Sequence, residues 1–185
     1  MIAPSDSPAT VEFLDAAAAP RDFYVVGKSK LALLFVSTSG FFFIYWFYRN
    51  WKLYRAATGN KVFPLFRAIL GVFFVYSLFT KIDHRIGAAD LKYRWYPRSL
   101  ALAFILLACT GSALMWLPDV QIRFALSLLV LLLQTCCLLR VQNAINYLAG
   151  DVDGLGNSKL TFANGIWVAL GLCWWGLAII GFYVL

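Results

Sequence analysis

Three stretches of this chain, Leu100–Leu117, Phe124–Leu139 and Leu160–Leu185, contain no charged residue, and a fourth, Leu31–Phe47, lies near the N-terminus. A helix needs roughly 17 to 25 apolar residues, at about 1.5 Å each, to cross the hydrocarbon layer of a bilayer. The runs therefore predict an all-α membrane protein: a bundle of four long transmembrane helices at about residues 31–48, 100–117, 122–140 and 162–184. A shorter apolar segment at 66–79 is added as a re-entrant piece or a fifth, tilted span.

Composition agrees. The chain is 62% hydrophobic and 14% charged, whereas charged residues make up about a quarter of a soluble domain. The net charge of +7 does not point to nucleic acid, because the cations sit beside apolar runs, where anionic headgroups are the common partner. Residues 1–27 carry Asp6, Glu12, Asp15 and Asp22 and no apolar core, so a secretory signal is not expected there. They read as a polar, mobile tail with a short helix near Thr10–Ala18. Residues 28–185 read as one membrane domain. Cys109, Cys136, Cys137 and Cys173 all lie inside apolar runs and read as packing residues, not disulfides or metal ligands.

The first span is expected to continue past the membrane, because Arg49, Lys52 and Arg55 recur every third residue and share one helical arc. Tyr45, Trp46, Tyr48, Trp51 and Tyr54 surround them as an expected interfacial belt. Gly59-Asn60 and Pro64 signal a turn. Placing segment 66–79 as re-entrant leaves twelve cations on one side and four on the other; a fifth span gives ten against six. The larger bias favours four spans with both termini outside. Trp95 and Tyr96 read as further anchors. Leu117-Pro118-Asp119 reads as a tight connection, the following helix runs on through Val141–Leu148, and Asn157 or Ser158 is the expected cap of the last helix.

Chemistry-bearing patterns are weak. Gly27-Lys28-Ser29 resembles the end of a phosphate loop, but Asp22 stands where the earlier glycine is needed. Asp151-Val152-Asp153-Gly154-Leu155-Gly156 resembles the start of a calcium loop, but Phe162 occupies the position of the bidentate Glu, so a solvated turn is the expectation. Asp83, His84 and Asp90 are the nearest thing to a catalytic cluster, and His84 is the only histidine. Gln134, Gln142, Asn146 and Asn164 are the polar residues expected within the membrane; Gln142 and Asn146 share a face one turn apart and read as hydrogen-bonding glue between helices. No acidic or basic residue falls deep in the four runs, which argues against an ion-coupled carrier. Gly165, Ala169, Cys173 and Gly181, with Ala108/Ser112 and Cys109/Ala113, form small-residue stripes that permit close helix approach.

Phe23-Tyr24-Val25-Val26 and then Tyr45-Trp46-Phe47-Tyr48-Arg49-Asn50-Trp51 resemble small bacterial multi-pass membrane proteins of unknown function. Pro64, Arg67-Ala68, Ser77-Leu78-Phe79, Val141-Gln142 with Asn146, and Asn157-Ser158 with Phe162 and Asn164 extend the resemblance from Asp22 to the C-terminus. It implies a bacterial inner-membrane location and brings no activity.

The expected function is that of a non-catalytic accessory or scaffold protein. It would bind anionic lipid, a membrane partner or a second copy through a basic, aromatic cytoplasmic face of Arg49, Trp51, Lys52, Arg55, Arg67, Arg94, Trp95 and Arg98, with no metal and no cofactor. Two other readings stay open. A small transporter or channel subunit would use Gln134, Gln142, Asn146 and Arg67. A headgroup-layer lipid-modifying enzyme would use Asp83, His84 and Asp90.

Overall fold

A computed structural model describes residues 21–184, and these are helical with no strand among them. Seven α-helices follow one another: α1 Lys28–Ser37, α2 Phe42–Thr58, α3 Pro64–Ile69, α4 Gly71–Ala88, α5 Pro97–Ala113, α6 Val120–Leu148 and α7 Phe162–Val184. Short 3-10 turns follow α5 at Leu114–Trp116 and precede α7 at Leu155–Asn157. The expected helix near Thr10–Ala18 and most of the expected tail lie outside the described residues.

Three helical stretches are long and apolar enough to cross a membrane: Pro97–Trp116, Val120–Leu148 and Phe162–Tyr183. The expected fourth long span, 31–48, is broken. At Ser37-Thr38-Ser39-Gly40 the chain leaves the helix through a left-handed Ser39 (φ 51°) and Gly40 (φ 90°). The Gly40 amide donates to the Phe35 carbonyl at 2.8 Å and the Ser39 amide to Val36 at 3.0 Å, the paired bonds of a Schellman stop. The Thr38 hydroxyl then accepts from the Phe42 amide at 3.0 Å and so starts α2.

The break turns the would-be span into a hairpin. Lys30, at the start of α1, reaches Asn157 and Lys159 ahead of α7. Six residues on, Val36 accepts from the indole of Trp175, deep in α7. A Cβ on Gly171 would collide with the Ser37 carbonyl, so α1 ends hard against the middle of α7. From there α2 returns: Phe41 meets Trp174, Trp46 meets Gln142, and Tyr54 stacks on Phe23. Both ends of the hairpin therefore lie at the end of the bundle where α6 stops and α7 starts, called here the polar end.

Segment 66–79 resolves into a second pair that enters and returns. α3 packs along α2, with Arg67 over the Trp51 ring at 4.0 Å. After a kink at Leu70, Gly71 approaches so closely that a Cβ would sit 2.7 Å from the Phe43 ring. α4 then climbs back, bringing Lys81 over Tyr54 at 5.0 Å and Arg85 to Asp22 at 2.9 Å. The apolar segment is thus two helices joined at an angle.

Arg21 and the Gly150–Thr161 connection lie at the polar end of the bundle, and the C-terminal end of α7 lies at the other. Of the sixteen Lys and Arg residues, fifteen lie toward the polar end. Arg123, which donates to the Leu117 carbonyl at 3.1 Å, sits at the opposite end.

The belt expected at Tyr45–Tyr54 is largely core. Trp46 and Trp51 are fully buried and Tyr54 nearly so, together with Phe42, Phe47, Leu78, Phe79 and Ile82. The expected tail boundary at residue 27 also moves, because Phe23, Val25 and Val26 are buried in that same core.

Candidate functional site

The polar end is organised around an extended strap, Phe23–Gly27, laid across the helices. A strap buried in this way must find partners for its backbone amides and carbonyls, and side-chain amides from three places supply them. Asn50 accepts from the Tyr24 amide at 3.0 Å. Gln142 donates to the Tyr24 carbonyl at 3.0 Å, Asn157 to that of Val25 at 3.0 Å, and Asn146 to that of Val26 at 3.1 Å. Gln142 also accepts from the Trp46 indole at 2.7 Å and donates to Asn146 Oδ1 at 2.7 Å. Gly154 (φ 67°) passes so close beneath the strap that a Cβ would overlap the Val26 carbonyl.

The four polar residues expected within the membrane therefore separate. Gln142 and Asn146 are fully buried and committed to the strap. Gln134 lines a separate groove with Ser39, Ser127 and Trp175, a cavity of about 270 Å³. Asn164 lines a cavity of about 370 Å³ between the strap, α1, α2 and the start of α7. Asn157, expected as a cap, instead accepts from Lys30 Nζ at 2.7 Å and bonds the strap. The first turn of α7 uses Thr161, whose hydroxyl accepts from the Asn164 amide at 3.4 Å.

The eight residues expected on the basic aromatic face take three kinds of place. Lys52, Arg55, Arg94 and Arg98 are exposed. Arg49 lies over Tyr24 at 5.3 Å. Arg67 is clamped between Trp51 and Phe74, at 4.0 and 5.1 Å from their ring centres, so Trp51 contributes a buried ring face instead of a surface anchor. Trp95 donates to Asp83 at 2.9 Å and stands beside Phe79. Arg94 and Arg140 share a cavity of about 660 Å³ with Tyr93, Trp95, Tyr96 and Ser99.

Of the Asp83–His84–Asp90 grouping, Asp83 and His84 meet different neighbours and Asp90 is exposed just past α4. Asp83 is engaged by Trp95, while His84 lines an open cleft with Tyr54, Thr58, Thr80, Lys81 and Arg85. Asp151 spends its carboxylate on the Leu155 and Gly156 amides, at 2.8 and 2.9 Å, as a loop-closing turn. Among the described residues no three His, Cys, Asp or Glu side chains gather as a metal cluster.

Sequence reasoning gave no site role to Lys30, Tyr24, Asn50 or Arg140. Lys30 sits one residue before an apolar run, a position that reads as a flanking anchor, yet it is 5% exposed. Its ammonium donates to Asn157 Oδ1 at 2.7 Å and to the Lys159 carbonyl at 2.8 Å. Burial holds it below the ordinary lysine value, and burial likewise raises the Tyr24 phenol.

No protein-family model, curated protein or solved structure matches this chain.

Proposed function

We propose that the protein is a polytopic membrane protein of the bacterial inner membrane that docks anionic lipid, or a membrane partner carrying it, on its polar end, and that it is an accessory or scaffold protein without catalysis. The single observation that carries this reading is the charge distribution: fifteen cations toward one end and one at the other, with only two ion pairs, Lys28–Asp153 and Arg85–Asp22, among the described residues. Lys and Arg in excess at one end of membrane-crossing helices mark the cytoplasmic side, and each unpaired cation near an anionic surface adds roughly 1 kcal/mol of attraction. The inner-membrane location rests on the resemblance set out above.

In this reading α5, α6 and α7 span, while α1–α2 and α3–α4 dip in and return. Gly171, the contact point of the α1 tip, is nine residues into α7, or about 14 Å at 1.5 Å per residue, near half of a 30 Å hydrocarbon layer. The Schellman stop fits such a depth, since backbone away from water is tolerated where protein covers it. A translocation path is less favoured, because Gln142 and Asn146 are bonded to the strap.

The test is reconstitution into nanodiscs of phosphatidylcholine with and without phosphatidylglycerol, followed by analysis of the lipid that co-purifies. Enrichment of the anionic lipid, reduced by the triple change Arg94→Gln, Arg98→Gln and Arg140→Gln, supports the proposal. A monomer that retains no anionic lipid and captures no membrane partner overturns it.

A further inference from the structure

The cavity walled by Tyr24, Lys30, Tyr45, Arg49, Asn164 and Trp167 is set apart from the exposed cations of the polar end. Two cations from different helices converge on it, and neither has a carboxylate within 4 Å among the described residues, where the ion pairs are Lys28–Asp153 and Arg85–Asp22. Neutral oxygens hold Lys30 in place, which fixes its position without cancelling its charge. Reorienting the Asn164 amide adds a third neutral oxygen at 3.2 Å. Arg49 lines the cavity, lies over the Tyr24 ring at 5.3 Å and makes no ion pair among the described residues, so its terminal guanidinium donors are open to an acceptor that enters. The first turn of α7 contributes Thr161, Ala163 and Asn164 to the wall, and the amides at the start of a long helix favour negative charge. Tyr24, Tyr45 and Trp167 close the remaining sides. The cavity, about 370 Å³, has room for a phosphoryl group and part of what it is attached to.

We infer that this cavity is a site for a phosphoryl anion, received by Arg49 and held in the field of Lys30. The inference rests on the lipid reading above only for the source of the anion: at the height of the first α7 turns, a phospholipid headgroup and free phosphate present the same chemistry. Arg49 would be the gripping residue, because its planar fork matches phosphate oxygens, whereas the Lys30 donors are largely spent.

The experiment is calorimetric titration of the full chain in mild detergent with dihexanoyl phosphatidic acid, dihexanoyl phosphatidylcholine and inorganic phosphate. Phosphatidic acid binding at least about tenfold more tightly than phosphatidylcholine, and falling about tenfold or more in Arg49→Gln, is the expected result. Where phosphate alone binds as tightly as phosphatidic acid, the site stands and its source is the free anion. Arg49→Lys keeps the charge and the packing of the stem; it serves if Arg49→Gln unfolds, with the same direction of loss expected. Equal binding of phosphatidic acid and phosphatidylcholine with no phosphate binding overturns the site, as does a folded Arg49 variant that binds like the parent. If nanodisc enrichment of phosphatidylglycerol then persists and depends on Arg94, Arg98 and Arg140, the pocket has failed while the broader lipid reading holds; loss of both defeats the two together.

Discussion

Trp46 and Trp51, in α2, are fully enclosed, whereas Trp116 at the end of α5 is 89% exposed and Trp174 in α7 is 53% exposed. The contrast runs through both halves of the molecule. Residues 23–95 enclose Phe23, Phe35, Phe42, Trp46, Phe47, Trp51 and Phe79 in one core, with Phe43 stacked on Phe104 and Arg67 pressed on Trp51, and leave Phe41, Phe63, Phe66 and Phe73 outside it. Helix α7, in contrast, keeps most of its apolar side chains exposed, Leu170, Leu172, Leu177 and Ile180 among them. Similar side chains thus serve two solvents. The enclosed rings of the first half are covered by protein, and the polar atoms among them are largely hydrogen-bonded; Trp116, Phe162, Trp174 and Tyr183 of the second half face outward, where acyl chains can cover them. What separates the halves is the strap and its amides, which give the first half something polar to close around.

The sharpest way to break this comparison is topological, because its outcome is all or none. In a background with the four native cysteines replaced, single cysteines at Asn60, Ala89 and Val152 are expected to react with an impermeant maleimide from one face of a sealed vesicle. A cysteine at Met115 is expected to react from the other. Asn60 and Ala89 reacting from opposite faces would turn the α3–α4 pair into a span and undo the charge bias.

Next in size is Gln142→Leu. It removes the acceptor of the Trp46 indole and the donors to the Tyr24 carbonyl and Asn146, leaving up to three buried groups unpaired at about 1 to 3 kcal/mol each. A loss on the order of 3 kcal/mol is expected in denaturant unfolding in detergent. Less than about 1 kcal/mol would mean that the strap does not organise the first half.

Gly154→Ala follows, at about 2 kcal/mol. It combines a left-handed backbone, which disfavours a Cβ by roughly 1 to 2 kcal/mol, with overlap of the new methyl on the Val26 carbonyl. Gly150→Ala shares the backbone penalty but meets open space. The difference between the two variants therefore isolates the close approach of loop and strap, and equal losses would show that this approach carries no strain.

How much of this was legible in the sequence depends on what kind of signal each part carries. The spans α5, α6 and α7 were legible as uninterrupted apolar runs, and the Gly59-Asn60 turn as a glycine in the left-handed region (φ 69°). The break at Ser37–Gly40 carried a signal too, three hydroxyl residues and a glycine in succession, but mean hydropathy averages over it. Its correct reading needed the observation that Thr38 and Gly40 can stop one helix and start another. The pairing of Gln142 with Asn146 followed from their spacing, whereas their use on a strap more than a hundred residues away did not. Lys30 and Arg49 could not be brought together from sequence, because the hairpin that joins them exists only once the break is recognised. The aromatic block from Tyr45 to Tyr54 fits an interfacial belt and a buried core equally well in sequence. What decides is the packing of α3 and α4 over it.

The smallest expected effect tests the second half of the comparison. Leu170 and Leu177 of α7 are 62% and 67% exposed, so in detergent Leu170→Ala and Leu177→Ala exchange one lipid-like contact for another. Each is expected to cost less than about 0.5 kcal/mol, against about 2 to 5 kcal/mol for Leu34→Ala, whose side chain is fully buried between α1 and its neighbours. A loss of about 2 kcal/mol or more from either α7 variant, dependent on protein concentration, would show that protein covers this face. The contrast between the halves would then be one between a core closed within the chain and a core closed between copies.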